Sequence, residues 1–372
     1  MNIYYFGVGS IDNIDSSVDG GKYIRLPLIE AMVNAKHNVN WIGFTLNNVM
    51  YNNYLKLINL KEEDYLISVK DIINDYSDKF HNGEHINKDV VHAYLKENPG
   101  ILFIELRPNI KKEGYNFENE WNVQTELINT FYDLGYQVYV WDQDVWASQM
   151  PDELKKKVIL LRSYYNEVPA FDRQELFLYG WFTPSFENKL CQLNDNKIFD
   201  VCYCGNVYGR RNEFLEYFKY FQTNNKMVCI QGNWLRKKYD DRDFSLDNFD
   251  NFLFFGKTPH WSTLPSIALS KSVIQFSNPE QQNAGLPTAR IFETLVGKSV
   301  VFCTDKIQHI DRIIPEELII KDGVDLIEKW DKIEKDNTWK YVTELFNKKL
   351  HVYEHSYQYR VKQLEEYTEK YK

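Results

Sequence analysis

Short apolar runs that end in glycine and lead into helical patterns recur along this chain in two blocks. That rhythm constrains the fold more than any other feature of the sequence. In the first block Ile3 to Val8 reads as a strand ending in Gly7 and Gly9. A polar loop from Ser10 to Gly21 follows, then a helix to about Lys36 and a second strand, Val39 to Phe44. Pro27 sets the start of that helix near Arg25, because proline is tolerated only in a first turn. Further strands read at Ile101 to Leu106 and Gln137 to Trp141 around a helix near Gln124 to Leu134, with short candidates at Val158 to Leu161 and Leu176 to Phe182. The second block opens on the strand Phe199 to Cys204, and Gly205-Asn206-Val207-Tyr208-Gly209 then turns into a helix to about Phe221. Strands at Met227 to Gln231, Phe252 to Phe255, Ser272 to Ser277 and Ser299 to Cys303 complete it. Strands alternating with helices in two halves predict an α/β protein with two doubly wound parallel sheets. Such sheets bind ligands at the carboxyl ends of their strands, where this chain carries its glycines.

At 372 residues the chain has room for two full cores. The polar stretch Pro184 to Asn196 reads as the linker. This sets a first Rossmann-like domain over 1–183, completed by a C-terminal helix over about 353–372, and a second over 184–352. Asn47 to Asn98, rich in Lys, Asn and Asp, is an insertion without evident chemistry. The formal net charge of −9 gives no general attraction to nucleic acid or to anionic membranes, so a polyanion must be met by a local basic patch. Arg210, Arg211, Lys219, Arg236, Lys237 and Lys238 could supply one, although Asp240, Asp241 and Asp243 follow at once and a mixed-charge surface fits equally well. No apolar run reaches the length of a membrane span, and the N-terminus lacks the basic region and cleavage site of a signal peptide. A cytoplasmic protein without a membrane partner is expected, as a monomer. The five cysteines, Cys191, Cys202, Cys204, Cys229 and Cys303, lack partners at zinc-ligand spacing and fit reduced, buried thiols.

The densest chemistry lies in Gly285 to Phe302, G-L-P-T-A-R-I-F-E-T-L-V-G-K-S-V-V-F. A helix entered through Gly285 and Pro287 turns free backbone N–H groups toward an anion. Arg290 and Glu293 share one face a turn apart. Such a carboxylate can accept both hydroxyls of a ribose, while the arginine meets phosphate or base oxygens. Gly297 suits the C′ position. An ordinary βαβ unit with a surface ion pair would show the same spacing.

Asp200 to Asn206, Arg211, Gly232-Asn233, Phe255-Gly256-Lys257-Thr258-Pro259 and Arg290-Ile291-Phe292-Glu293-Thr294 together resemble the donor domain of a GT-B glycosyltransferase. Of that class the chain most resembles the DNA β-glucosyltransferases of T-even-type bacteriophages. The first half resembles them through its opening strand, the strand before Asp144 and Leu176 to Phe182. The resemblance implies a GT-B fold, two Rossmann-like domains facing a cleft with a C-terminal helix crossing back. It also implies an inverting transferase that moves glucose from UDP-glucose to 5-hydroxymethylcytosine in duplex DNA, in the host cytoplasm if phage-encoded. The alternative is a GT-B enzyme acting on a glycan, a protein or a small molecule. Residue by residue, it implies Glu293 on the ribose, Arg290 on the nucleotide or its diphosphate, and Gly205 and Asn206 at the pyrophosphate with Arg211. Gly232 lies in the matching strand-end turn, and Thr258 and His260 flank the uracil. Asp144 matches the catalytic base. A family arginine falls near Tyr208 here, with Arg210 its substitute, and Asp19 stands closest to an acidic residue of the family's first loop. No resident cofactor is implied beyond the UDP-sugar co-substrate, with Mg or Mn as an aid to diphosphate departure.

Asp142-Gln143-Asp144 also reads as the D-x-D pattern that holds a divalent metal in GT-A enzymes, or as two aspartates capping a strand end. A base at Asp144 would accept the proton of an attacking hydroxyl. One carboxylate base without a nucleophile implies a single displacement with inversion. Trp146 beside it is a candidate to stack on a sugar or base.

Overall fold

The computed structural model describes residues 1–7, 20–44, 73–109, 111–112, 115–180, 197–205, 210–232, 234, 250–255, 263–350 and 352–372. These form two compact units, one from the described parts of Met1–Asn53 and Glu62–Leu178 with Tyr357–Lys372, the other from those of Tyr179–Ser356.

In the first unit lie the strands β1 (Asn2–Phe6), β2 (Asn38–Trp41), β3 (Asn74–Asp75), β4 (Gly100–Glu105), β5 (Lys111–Lys112), β6 (Tyr115–Asn116), β7 (Val138–Asp142), β8 (Ile159–Arg162) and β9 (Gln174–Leu176). Seven of them make one sheet in the order β3-β2-β1-β4-β7-β8-β9, with every neighbour parallel; β5 and β6 form a small antiparallel hairpin. Tyr4, Phe103, Tyr139 and Leu160 are buried, which is why these strands read as unbroken apolar runs rather than alternating ones.

The helix Gly20–Asn34 begins five residues earlier than the proline rule suggests, with Pro27 inside it. Burial of Ile24, Leu28, Ile29 and Met32 outweighs the lost backbone bond. Arg25 of this helix is fully buried too. Its Nε and Nη2 donate to Glu105 Oε1 and Oε2 at 2.6 and 2.5 Å, and Tyr5 Oη donates to the same carboxylate at 2.6 Å. The C-terminal helix Tyr357–Lys370 is tied to this unit, since Gln137 Nε2 donates to Thr368 O and Tyr367 Oη to Leu176 O, both at 3.0 Å.

The second unit holds β10 (Phe199–Cys204), β11 (Val228–Gln231), β12 (Phe252–Phe254), β13 (Ser270–Gln275), β14 (Val300–Thr304) and β15 (Ile319–Ile320). They form a parallel sheet in the order β12-β11-β10-β13-β14-β15. Tyr203, Phe214, Phe218 and Phe276 fill its core; Tyr203 and Phe276 stack with centroids 4.5 Å apart. Cys202, Cys204, Cys229 and Cys303 are buried and free, while Cys191 lies outside the described residues.

Gly297 has a different use from the one its spacing suggests. The helix Ala289–Val296 ends on it with φ −72, and the left-handed residue is Lys298, φ 46. What requires glycine at 297 is close packing: an added Cβ would sit 2.7 Å from Ile267 Cγ2, closer than core atoms tolerate.

Candidate functional site

In the second unit the strand ends bring several of the expected residues together. Gly205 follows β10. Its N–H donates to Gln231 O at 2.9 Å, and Trp234 Nε1 donates to its carbonyl at 2.8 Å. A Cβ there would lie 2.6 Å from Tyr203 Oη, so only glycine fits beside that ring. Gly232, after β11, takes φ 136, a conformation closed to other residues in practice. Arg210 precedes the helix Arg211–Thr223, which Arg211 opens. Burial pushes the Tyr203 hydroxyl above its ordinary range, and Arg210 and Arg290 pull it back. Arg210 and Arg290 thus both act on the hydroxyl of one tyrosine, against whose ring Gly205 lies.

Arg290 and Glu293 form an ion pair one turn apart. It is not the surface pair that the spacing alone allows, because Glu293 is 1% exposed and Arg290 16%. Burial disfavours the guanidinium charge, and Glu293 with Cys204, Cys202 and Tyr203 more than offsets this, holding Arg290 above its ordinary value. Arg290 Nε has no hydrogen-bond partner among the described residues. The same holds for Thr288 Oγ1, on the residue that opens this helix, and for Ser277 Oγ just after β13. Buried polar atoms are seldom left so; Thr288 and Arg290 lie at the start of this helix, and Ser277 lies before the short helix Pro279–Ala284 that precedes it. A polar ligand at the helix N-terminus would answer them.

In the first unit β7 ends at Asp142, and Asp144 is half-buried two residues on. The Asp142 carboxylate is fully buried and occupied. Its Oδ1 accepts from the N–H groups of Asp144 (3.2 Å) and Trp146 (3.0 Å), and its Oδ2 from Ala147 N–H (2.7 Å) and Tyr164 Oη (2.6 Å). A metal held by D-x-D would have to strip those donors, so the GT-A reading loses one of its two carboxylates. Among the described residues no group of three His, Cys, Asp or Glu side chains is placed to hold a metal. The Arg107 guanidinium lies over both Trp146 and Phe117, 5.7 and 5.6 Å from their centroids.

Asp19, Asn206, Thr258 and His260 lie outside the described residues, as do Arg236 and Lys237. Sequence reasoning passed over Tyr203, which the apolar pattern of β10 presents as plain core. Of the sequence readings of Asp142, the cap of a strand end comes nearest to what it does, since it accepts from the backbone N–H groups of the turn, although it is buried rather than solvated.

Two parallel-sheet α/β units, each with helices flanking its sheet, define the GT-B fold, and the chain's structural neighbours are GT-B glycosyltransferases. Among them are T4 phage BGT, a β-glucosyltransferase, in complex with UDP and Mn2+ (13% identity, TM-score 0.59, 99% of each chain covered) and a glycosyltransferase from Rickettsia africae ESF-5 (12%, 0.62, 99% of this chain and 98% of that one). Sucrose-phosphate synthase from Thermosynechococcus elongatus is a third (10%, 0.56, 99% and 98%). The likeness at these identities is one of fold. No protein-family model and no curated protein matches the sequence.

Proposed function

We propose that the protein is an inverting glycosyltransferase that moves glucose from UDP-glucose to the hydroxyl of 5-hydroxymethylcytosine in duplex DNA. The observation that carries the donor half is the buried Arg290–Glu293 pair beside the unpartnered Thr288 hydroxyl. Glu293 accepts from the ribose hydroxyls, and Arg290, Arg210 and Arg211 offset the diphosphate charge. Gly205 and Gly232 keep backbone close to it, and Asn206, Thr258, His260 and Asp19 complete the donor contacts. The acceptor hydroxyl gives its proton to Asp144 as its oxygen bonds to the anomeric carbon. The bond from that carbon to the diphosphate breaks on the opposite face, its electron pair leaves with UDP, and the anomeric configuration inverts. An embedded base reaches such a site by flipping out of the duplex.

A second reading keeps the donor chemistry and replaces DNA by a glycan, protein or small molecule. The net charge of −9 and a sucrose-phosphate synthase of the same fold favour it.

The donor half is tested with UDP and a panel of UDP-sugars. UDP is expected to raise the melting temperature, since a ligand of the native state stabilises it, and UDP-glucose is expected to undergo slow hydrolysis. Glu293→Ala should weaken UDP binding by about 2–3 kcal/mol, the worth of its charge-assisted bonds to the ribose. Equal affinity in the two proteins by calorimetry removes Glu293 from the donor site.

A further inference from the structure

Val145 is a β-branched residue at φ 66. Such a conformation persists only where the surroundings over-determine it. It sits between Asp144 and Trp146, whose N–H groups both donate to Asp142 Oδ1, and just ahead of Ala147, whose N–H donates to Oδ2. One buried carboxylate thus gathers three backbone donors of a single turn, and Tyr164 Oη, two residues past β8, is a second donor to its Oδ2. Asp144 is one of the residues whose backbone N–H the carboxylate gathers.

We propose that Asp142 is a positioning residue, a clamp that imposes the left-handed Val145 turn and so sets where the Asp144 carboxylate stands. The proposal rests on the reading of Asp144 as the base. Charge-assisted bonds to backbone N–H groups are the strong kind, and three of them from one side chain are enough to hold a strained turn. Burial acts the other way and leaves the Asp142 pKa above its ordinary value, although the bonds from Tyr164, Trp146, Ala147 and Asp144 oppose the rise. The anion is the form that the three backbone donors bind most strongly, since charge-assisted bonds exceed neutral ones.

Three substitutions separate this role from plain support of the fold. Asp142→Asn keeps the shape, loses the charge and brings an N–H₂ against donors. The turn then relaxes and Asp144 moves. Release of UDP from UDP-glucose should fall by about 10²-fold, as misplacement of a reacting group by an ångström does, with UDP affinity and stoichiometry unchanged. Adding Val145→Gly removes the strain the clamp was holding, since glycine adopts positive φ freely. The double variant should regain roughly tenfold of the lost rate. Tyr164→Phe removes one donor and leaves the carboxylate in place. It should slow release by roughly two- to tenfold, the worth of one hydrogen bond, and it serves if Asp142→Asn does not fold.

Asp144→Asn is run alongside. If Asp144→Asn is inactive while Asp142→Asn, folded, turns over at the wild-type rate, the clamp is wrong and the base stands. If Asp144→Asn is fully active, the reading of the base falls, and the clamp with it. A loss in Asp142→Asn that tracks a loss of UDP stoichiometry and that Val145→Gly leaves untouched also overturns the clamp.

Discussion

Replacing Asp144 by asparagine is expected to lower turnover by roughly 10²–10⁴-fold, the contribution of a positioned general base, while UDP binds nearly as before. The amide keeps the shape of the carboxylate and its place after β7 but cannot take a proton. The separation of effects follows from where the residues lie. Asp144 belongs to the first unit, and Gly205, Arg210, Arg290 and Glu293, the residues proposed for the donor, belong to the second. If Asp144 held a metal on the diphosphate instead, the variant would lose UDP affinity together with turnover, and the wild type would need a divalent ion absolutely. The four donors already on Asp142 argue for the first pattern. Full activity in the variant would remove Asp144 from the mechanism.

Glu105→Gln should destabilise the first unit by about 3–5 kcal/mol, the usual cost of removing one partner from a buried ion pair. Arg25 is 1% exposed and the Glu105 side chain 4%, so the abandoned guanidinium charge has no route to water. The amide oxygen can still accept from Tyr5 Oη and Arg25 Nε, but the amide N–H₂ then faces the Arg25 Nη2 donor, so a hydrogen bond is lost along with the charge. Combining Glu105→Gln with Arg25→Met should recover much of the stability, because an apolar side chain needs no partner in that site. Hydrogen exchange at the amides of β1 and β4 reads this unit separately from the other. A loss below about 1 kcal/mol would mean that the pair gains little from its burial.

The two-sheet architecture is legible because it depends on burial patterns that repeat. Both faces of each parallel sheet are covered, so the strands stand out as apolar runs, and the boundaries read for Phe199–Cys204 are those observed. Boundaries set by tertiary contacts are not local information. Pro27 points to a later helix start, but an ion pair with a residue 80 positions away and four buried apolar side chains carry the helix through it. Gly297 looks like a left-handed cap and instead makes room for Ile267. In the candidate site Arg290, Glu293 and Asp144 stand out because charged residues interrupt apolar runs at strand and helix ends. Tyr203 does not, since the two arginines that act on its hydroxyl, Arg210 and Arg290, lie outside β10, one of them far along the chain. Asp142 was visible as half of D-x-D, but only the backbone donors around it tell a clamp from a ligand.

The acceptor is where resemblance and composition pull apart, and one measurement addresses it. Matched duplexes carrying cytosine, 5-hydroxymethylcytosine or 5-hydroxymethyluracil are incubated with labelled UDP-glucose. Label is expected in the 5-hydroxymethylcytosine duplex and not in the cytosine one. Transfer should weaken with salt, log affinity falling against log salt by about 0.9 for each phosphate neutralised, with few phosphates involved given the charge of −9. If no label enters any duplex while UDP-glucose is hydrolysed or a non-nucleic acceptor is glycosylated, the DNA reading is contradicted and the glycan, protein or small-molecule acceptor takes its place.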